Sequence, residues 1–211
     1  MIWLIGICCI CLGVCMPMYI HYKRAMHLVL ASSYKVAGTL CAFSAALIAS
    51  IRLDPRCWVC AAAILIYASA DFVLEFNFML GAGLFLAGHI CILSFFLNLV
   101  PISMIHLVCM LVLSGFCLLV FWHLRKPIGR KMPLFLVYGL SLSAMCASAL
   151  GCFTASSAAG ILIACGGALF CISDLIILRK LYFPPNRIND WIVMLTYYSA
   201  VLLFGIACIY I

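Results

Sequence analysis

Acidic side chains are almost missing from this sequence: five Asp and Glu in 211 residues, with charged residues of both signs at only 8%. A water-soluble domain is roughly a quarter charged and about half apolar. Here apolar residues reach 69% and mean hydropathy is +1.34. So little polar material cannot clothe a globule of this size, which excludes a soluble fold, a disordered chain and a nucleic-acid binder. The apolar runs are continuous, without the alternation that a transmembrane β-barrel needs. His-Glu-x-x-His, a phosphate-binding Gly loop and a Gly-x-Ser-x-Gly elbow are all absent, which argues against a zinc peptidase, a nucleotide-binding fold and a serine hydrolase. No Lys or Arg precedes the first apolar run. It therefore lacks the basic start of a secretory signal and is expected to be retained.

What is present is a succession of apolar runs long enough to cross a bilayer as helices. They predict one integral membrane domain over residues 1–211, all-α, with eight spans: Ile2–Ile20, Ser33–Ile51, Cys57–Glu75, Phe78–Leu97, Ile102–Trp122, a sixth from Pro133 to Leu150, Ser156–Leu178 and Asp190–Ile211. Charge tests that count. The odd-numbered loops hold Lys23, Arg24, Lys35, Arg125, Lys126, Arg130, Lys131, Arg179, Lys180 and Arg187, whereas the even loops hold only Arg52 and Arg56. The positive-inside tendency then puts the odd loops in the cytoplasm and both termini on the opposite face. The net charge of +7 is thus read as topological. The 15 Cys lie scattered through apolar runs, where a free thiol behaves as a small hydrophobe. Cys8-x-x-Cys11 and Cys57-x-x-Cys60 fall among them inside apolar helices, so no metal site is expected.

Two of the acids have solvated roles. Asp54 precedes Pro55 in a turn pair, and Asp190 opens the last helix, where an acid suits the helix dipole. Asp71 and Asp174 lie inside apolar runs. A carboxylate facing lipid at that depth costs about 2.5–3.5 kcal/mol on insertion scales, so such residues face the bundle interior and point to function. Both helices run toward the cytoplasmic side. Asp71 is four residues before Glu75 and Asp174 five before Arg179, which sets both roughly 6–8 Å inside the same membrane face. Lys35, Tyr138 and Tyr197 reach that layer from three other helices. Paired half-buried carboxyls can differ in protonation and serve as acid and base. They can equally be structural partners of Lys35. Glu75, one turn from Asp71, either influences it or snorkels to the interface. The segment Ala70–Leu74 resembles Ser173–Ile177 at an offset of 103 residues, which suggests a parallel four-plus-four repeat.

His89 sits mid-helix among Gly81, Gly83 and Gly88, which permit close packing. It reads either as an imidazole hydrogen-bonded between helices or as a group that orients a substrate head. Ser173 precedes Asp174 with no His evident beside it. Glu75, His89 and Ser173 join Lys35, Tyr138 and Tyr197 as candidates for holding a substrate.

These residues look like those of the YhhN family. Ala70-Asp71 through Gly81, Phe85, Gly88 and His89 is similar to the family's Gly-Asp followed by a Phe-rich helix ending in Gly-His. Gly167 through Phe170, Ser173 and Asp174, with Thr196-Tyr197-Tyr198, resembles its Gly-x-x-x-Phe-x-x-Ser-Asp and Thr-Tyr-Tyr segments. Lys35 resembles the Lys of its Lys-Pro pair, and Tyr138 its sixth-helix Tyr. Ala70, Val36, Ile92 and Val201 depart from its common Gly, Pro, Tyr and Gln. The resemblance implies an eight-helix hydrolase of the vinyl ether bond of lysoplasmalogens. The partners would be a lysophospholipid and the bilayer, with no cofactor and with Asp71 and Asp174 as the catalytic pair. Asp71 is the expected proton donor, because Glu75 is near it, and Asp174 the expected base, with Lys35 and the tyrosines holding the phosphate and the carboxylates. A proton-coupled transporter using the paired acids as a relay is the alternative, and a structural subunit with the acids as helix ties is a third.

Overall fold

The structure, a computed structural model, describes residues 2–184 and 186–211; the Arg187 side chain counted above lies outside the described atoms. The described residues form helices and no strand. They comprise α1 (Ile2–Arg24, with a π-helical turn at Cys11–Cys15), α2 (Leu28–Arg52), α3 (Cys57–Leu74), α4 (Phe78–Leu99), α5 (Met104–Ile128), α6 (Met132–Gly151), α7 (Ala158–Tyr182) and α8 (Arg187–Ala207). Hydrocarbon offers no partner to a backbone N–H or C=O, so apolar runs that cross it must satisfy themselves as helices. At 1.5 Å per residue, 20 residues span about 30 Å, the thickness of that layer.

Polar residues between the runs start the helices. The Asn77 side chain accepts from the Met79 and Leu80 amides at 3.1 and 3.2 Å, Ser157 from Gly160 at 3.0 Å, and Asn186 from Ile188 at 3.0 Å. Ser103 and His106 form a reciprocal cap at the start of α5. Each satisfies amides that a helix start leaves unpaired.

The expected count of eight separate spans is corrected to seven. Among the described residues, seven helical stretches are long and apolar enough to cross a membrane, and one of them, Met104–Ala155, is 52 residues long. The sequence puts a loop at Arg125–Lys131. Instead α5 continues through Pro127 to Ile128, and a single turn of 3-10 helix, Gly129–Lys131, leads into α6. Gly129 takes φ +58°, a left-handed value that glycine adopts without strain. There the chain folds back, so that α5 and α6 lie against one another.

Consecutive helices pack together except α4 and α5, and α5 leans mainly on α6. Two longer-range pairings close the bundle, α2 on α8 and α4 on α6. Small residues make the first possible. Ala31, Gly38, Ala42, Ala45, Ala46 and Ala49 are all buried on α2, and such faces let helix backbones approach where no hydrophobic effect drives association. Gly205 of α8 sits so close to Ala42 that a Cβ there would strike its carbonyl oxygen and lie 3.1 Å from its carbonyl carbon. Fully buried aromatics, among them Tyr67, Phe95, Phe96, Phe170, Tyr198 and Phe204, fill the centre, while large apolar side chains such as Leu111 and Leu119 cover the outside. That is the arrangement of a multi-pass integral membrane protein.

Gly205→Val should force α8 off α2. Overpacking of this kind costs about 1–3 kcal/mol, read as a lower midpoint of thermal unfolding in detergent; an unchanged midpoint would contradict the close crossing.

Candidate active site

The site lies at the end of the bundle where α1, α3, α5 and α7 finish and α2, α4, α6 and α8 begin. Tyr67 and Asp71 occupy one face of α3. The Tyr67 ring rests on Gly88 of α4, where any Cβ would collide with it, and lies 5.3 Å from Phe170 of α7. This aromatic floor holds α3, α4 and α7 together one turn below the two aspartates.

Asp71 is fully buried. Thr39 donates to its Oδ2 at 2.5 Å and Tyr197 donates to the same oxygen at 2.7 Å. Lys35 Nζ stands 3.3 Å from Oδ1. Lys35 and Thr39 are one turn apart on α2 and present ammonium and hydroxyl to a single carboxylate. A buried ion pair survives desolvation only when further hydrogen bonds satisfy it, and the two hydroxyls supply them. Tyr198 fixes α2 in turn, donating to the Lys35 carbonyl at 3.1 Å.

Glu75, just past the end of α3, belongs to the same network. Its Oε1 accepts from Tyr19 at 2.7 Å, Lys23 lies 2.9 Å from Oε2, and Lys35 is 3.5 Å from Oε1. Burial pushes this carboxyl up, but the Lys35 and Lys23 ammoniums outweigh it and leave it lowered to about 2. Glu75 is thus an anion shared between two lysines rather than a charge pressing on Asp71.

Asp174 is held differently. Tyr138 of α6 donates to its Oδ2 at 2.6 Å. Among the described residues it enters no ion pair. One hydrogen bond from a neutral phenol leaves the other carboxyl oxygen unclaimed by protein.

Both aspartates line one cavity of about 350 Å³, to which all eight helices contribute. Its lining includes Asp71, Asp174, Glu75, Lys35, Tyr138 and Tyr197, with Tyr19, Lys23, Ser143 and Lys180, and is otherwise apolar, with Phe85, Leu113, Phe116, Phe121 and Leu142 among others. Six of the eight residues expected from sequence therefore line one cavity. Ser173 and His89 do not line it. The Ser173 hydroxyl donates to the Val193 carbonyl at 3.2 Å and ties α7 to α8. His89 stands behind Tyr138, ring centroids 5.2 Å apart, with Nδ1 3.4 Å from Ser141 Oγ. The expectation placed Ser173 and His89 with the substrate-holding residues; the structure places them off the cavity lining.

Sequence reasoning missed Thr39, Tyr19, Lys23 and Lys180, the last of which pairs with Asp190 and also lines the cavity. Thr39 had a signal in its one-turn spacing from Lys35. Lys23 and Lys180 are read from sequence only as topological charges. The described residues hold no group of three or more His, Cys, Asp or Glu that could bind a metal.

Thr39→Val should destabilise the protein by about 1–3 kcal/mol, because it strips a charge-assisted hydrogen bond from a buried carboxylate. Thr39→Ser should retain most of that stability; equal melting of the two variants would contradict the role given to the hydroxyl.

No curated protein and no solved structure matches the chain. The family model described as the YhhN family matches residues 30–207, which include Lys35, Asp71, Tyr138, Asp174 and Tyr197. The chain belongs to the YhhN family.

Proposed function

We propose that this protein hydrolyses the vinyl ether bond of lysoplasmalogens, releasing a fatty aldehyde and a glycerophospho-alcohol. The observation that carries the reading is the unequal tethering of two aspartates on one amphiphilic cavity. A vinyl ether reacts with water once a proton is delivered to its β-carbon. The double-bond electrons form the new C–H bond, and the ether oxygen stabilises the resulting oxocarbenium ion. Water then adds to the α-carbon and loses a proton, and the hemiacetal collapses to aldehyde and alcohol. The chemistry needs one proton donor, one acceptor and no redox partner.

The geometry supports the reverse of the roles expected from sequence. Asp71 takes two hydroxyl donors and an ammonium, so it is the ionised member. It activates water and faces the cation. Asp174, with only Tyr138 as donor, keeps a proton at negligible electrostatic loss and is the acid. The asymmetry has a positional origin. The interval of 103 residues that separates Asp71 from Asp174 also separates Lys35 from Tyr138 and Tyr67 from Phe170. The helix pairings α2–α8 and α4–α6 exchange under the same shift of four helices. This pattern supports a parallel repeat in which equivalent positions carry a charged tether in one half and a neutral one in the other.

The basic loops favour a cytoplasmic placement of the site end of the bundle. A relay for transport is the weaker reading, because both acids sit toward one end of the bundle rather than at its middle, where carriers hold their sites.

Purified protein in detergent, given a lysoplasmalogen, should release aldehyde. Asp174→Asn and Asp71→Asn should each lower the rate by roughly 10²–10⁴-fold while the protein remains folded. Near-wild-type turnover in either folded variant would remove the mechanism, and flux of a solute across sealed vesicles in place of aldehyde would favour the transporter.

A further inference from the structure

Helix α5 is fastened on one side. Of its residues, His106, Phe121 and Ile128 are buried. His106 rests on Gly151 and Phe121 on Gly139, so closely that a Cβ on either glycine would strike the ring. Cys117 meets Gly139 in the same way. Both glycines belong to α6. Among the described residues α5 packs along neither α4 nor α7. Yet its Leu113, Phe116 and Val120 line the cavity together with Cys171, Asp174 and Leu175 of α7. Between α5 and α7 the cavity wall is therefore a seam and not a packed helix crossing.

A groove of about 300 Å³ lies on that seam. Leu124 of α5 and Phe183, just past the end of α7, line it, with Arg179 as its charged member. Val120, Leu175 and Leu178 line the groove and the cavity alike. The two spaces thus adjoin across three aliphatic side chains. Exposed side chains of this kind change rotamer within picoseconds to nanoseconds, and Leu175 is 36% exposed. Asp174 precedes Leu175 and keeps part of its surface accessible, whereas Asp71 is fully buried. The aspartate beside the seam is the accessible one of the two.

We infer that the α5–α7 seam is a lateral portal, through which the hydrocarbon chain of a membrane lipid passes from the bilayer into the cavity that holds the aspartates. A route through water would expose every methylene of that chain to solvent. A seam that opens on hydrocarbon spares this exposure, and its shared aliphatic lining suits a chain and not a polar head. The α4–α5 seam is also unpacked; the groove that shares three residues with the cavity favours the α7 side. The portal rests on the hydrolase reading for the ether in its lipid but not for the route.

The route is read with a 1-O-alkyl lysophospholipid that carries a diazirine in its chain and whose saturated ether is not cleaved, with the full chain of the protein in lipid nanodiscs. Photolabelling that excess unlabelled lysophospholipid displaces should fall on Val120, Leu124, Leu175 and Leu178. Displaceable labelling on the facing sides of α4 and α5 instead, or none on these four residues, would overturn the portal. In turnover, Leu124→Trp fills the groove from a position outside the cavity. It should slow aldehyde release from bilayer-borne lysoplasmalogen about tenfold, while a short-chain, water-soluble 1-alkenyl analogue is cleaved at the wild-type rate. Leu124→Ala should not reproduce this difference. Equal slowing by Trp and Ala, or slowing of both substrates alike, would mean lost packing in place of a blocked route and would overturn the portal. Displaceable labelling at the seam without aldehyde release would sink the hydrolase reading alone, and aldehyde release with the seam unlabelled would sink the portal alone.

Discussion

A carboxylate inside a membrane protein must be met by donors, and the arrangement of α2, α3 and α8 follows from meeting Asp71. Lys35 and Thr39 approach from α2 and Tyr197 from α8, so three helices converge on one buried group. They converge that closely only because α2 is faced with alanine and glycine where α8 crosses it. The polar site and the small-residue crossing are one device: the first needs the backbones near, and the second lets them come near. An ion pair in this setting contributes little net stability. On the proposed mechanism its consequence is chemical, since Lys35 and the two hydroxyls favour the ionised form of Asp71.

The second aspartate is held differently, and the proposed mechanism rests on that contrast. Two carboxyls with equal surroundings would share a proton and have no division of labour. Here a lysine faces one and a phenol the other, at positions 103 residues apart. On the duplicated-frame reading, a single exchange between Lys and Tyr at α2 and α6 separates acid from base without moving either helix. The aromatic pair Tyr67 and Phe170 beneath them, at the same interval, fixes the spacing of the two halves.

Much of this was legible in the sequence. Apolar length gave the helices, and the break that Asp71 and Asp174 each make in an apolar run marked two residues that line the cavity. What escaped was whatever depends on direction around a helix axis. The continuous helix through Pro127 could not be told from a loop, because Arg125, Lys126, Arg130 and Lys131 satisfy either. Ser173 and His89 sit at the right depth but turn toward Val193 and Ser141, and depth alone carries no azimuth. Glu75 seemed able to perturb Asp71; two lysines from α1 and α2 cancel it, and one of them, Lys23, lies more than fifty positions away in the chain.

The two halves also diverge in what their first helices contribute, which makes the cavity amphiphilic. α1 turns Tyr19 and Lys23 onto Glu75 and closes one side of the site with charge and hydroxyl. α5, its counterpart, presents Leu113, Phe116 and Phe121 and leans mainly on α6. Polar and apolar side chains from both halves line the one cavity. On the proposed function, a molecule half polar and half hydrocarbon, joined at an ether oxygen, suits such a mixed lining, because burying its polar part against apolar side chains alone would be costly.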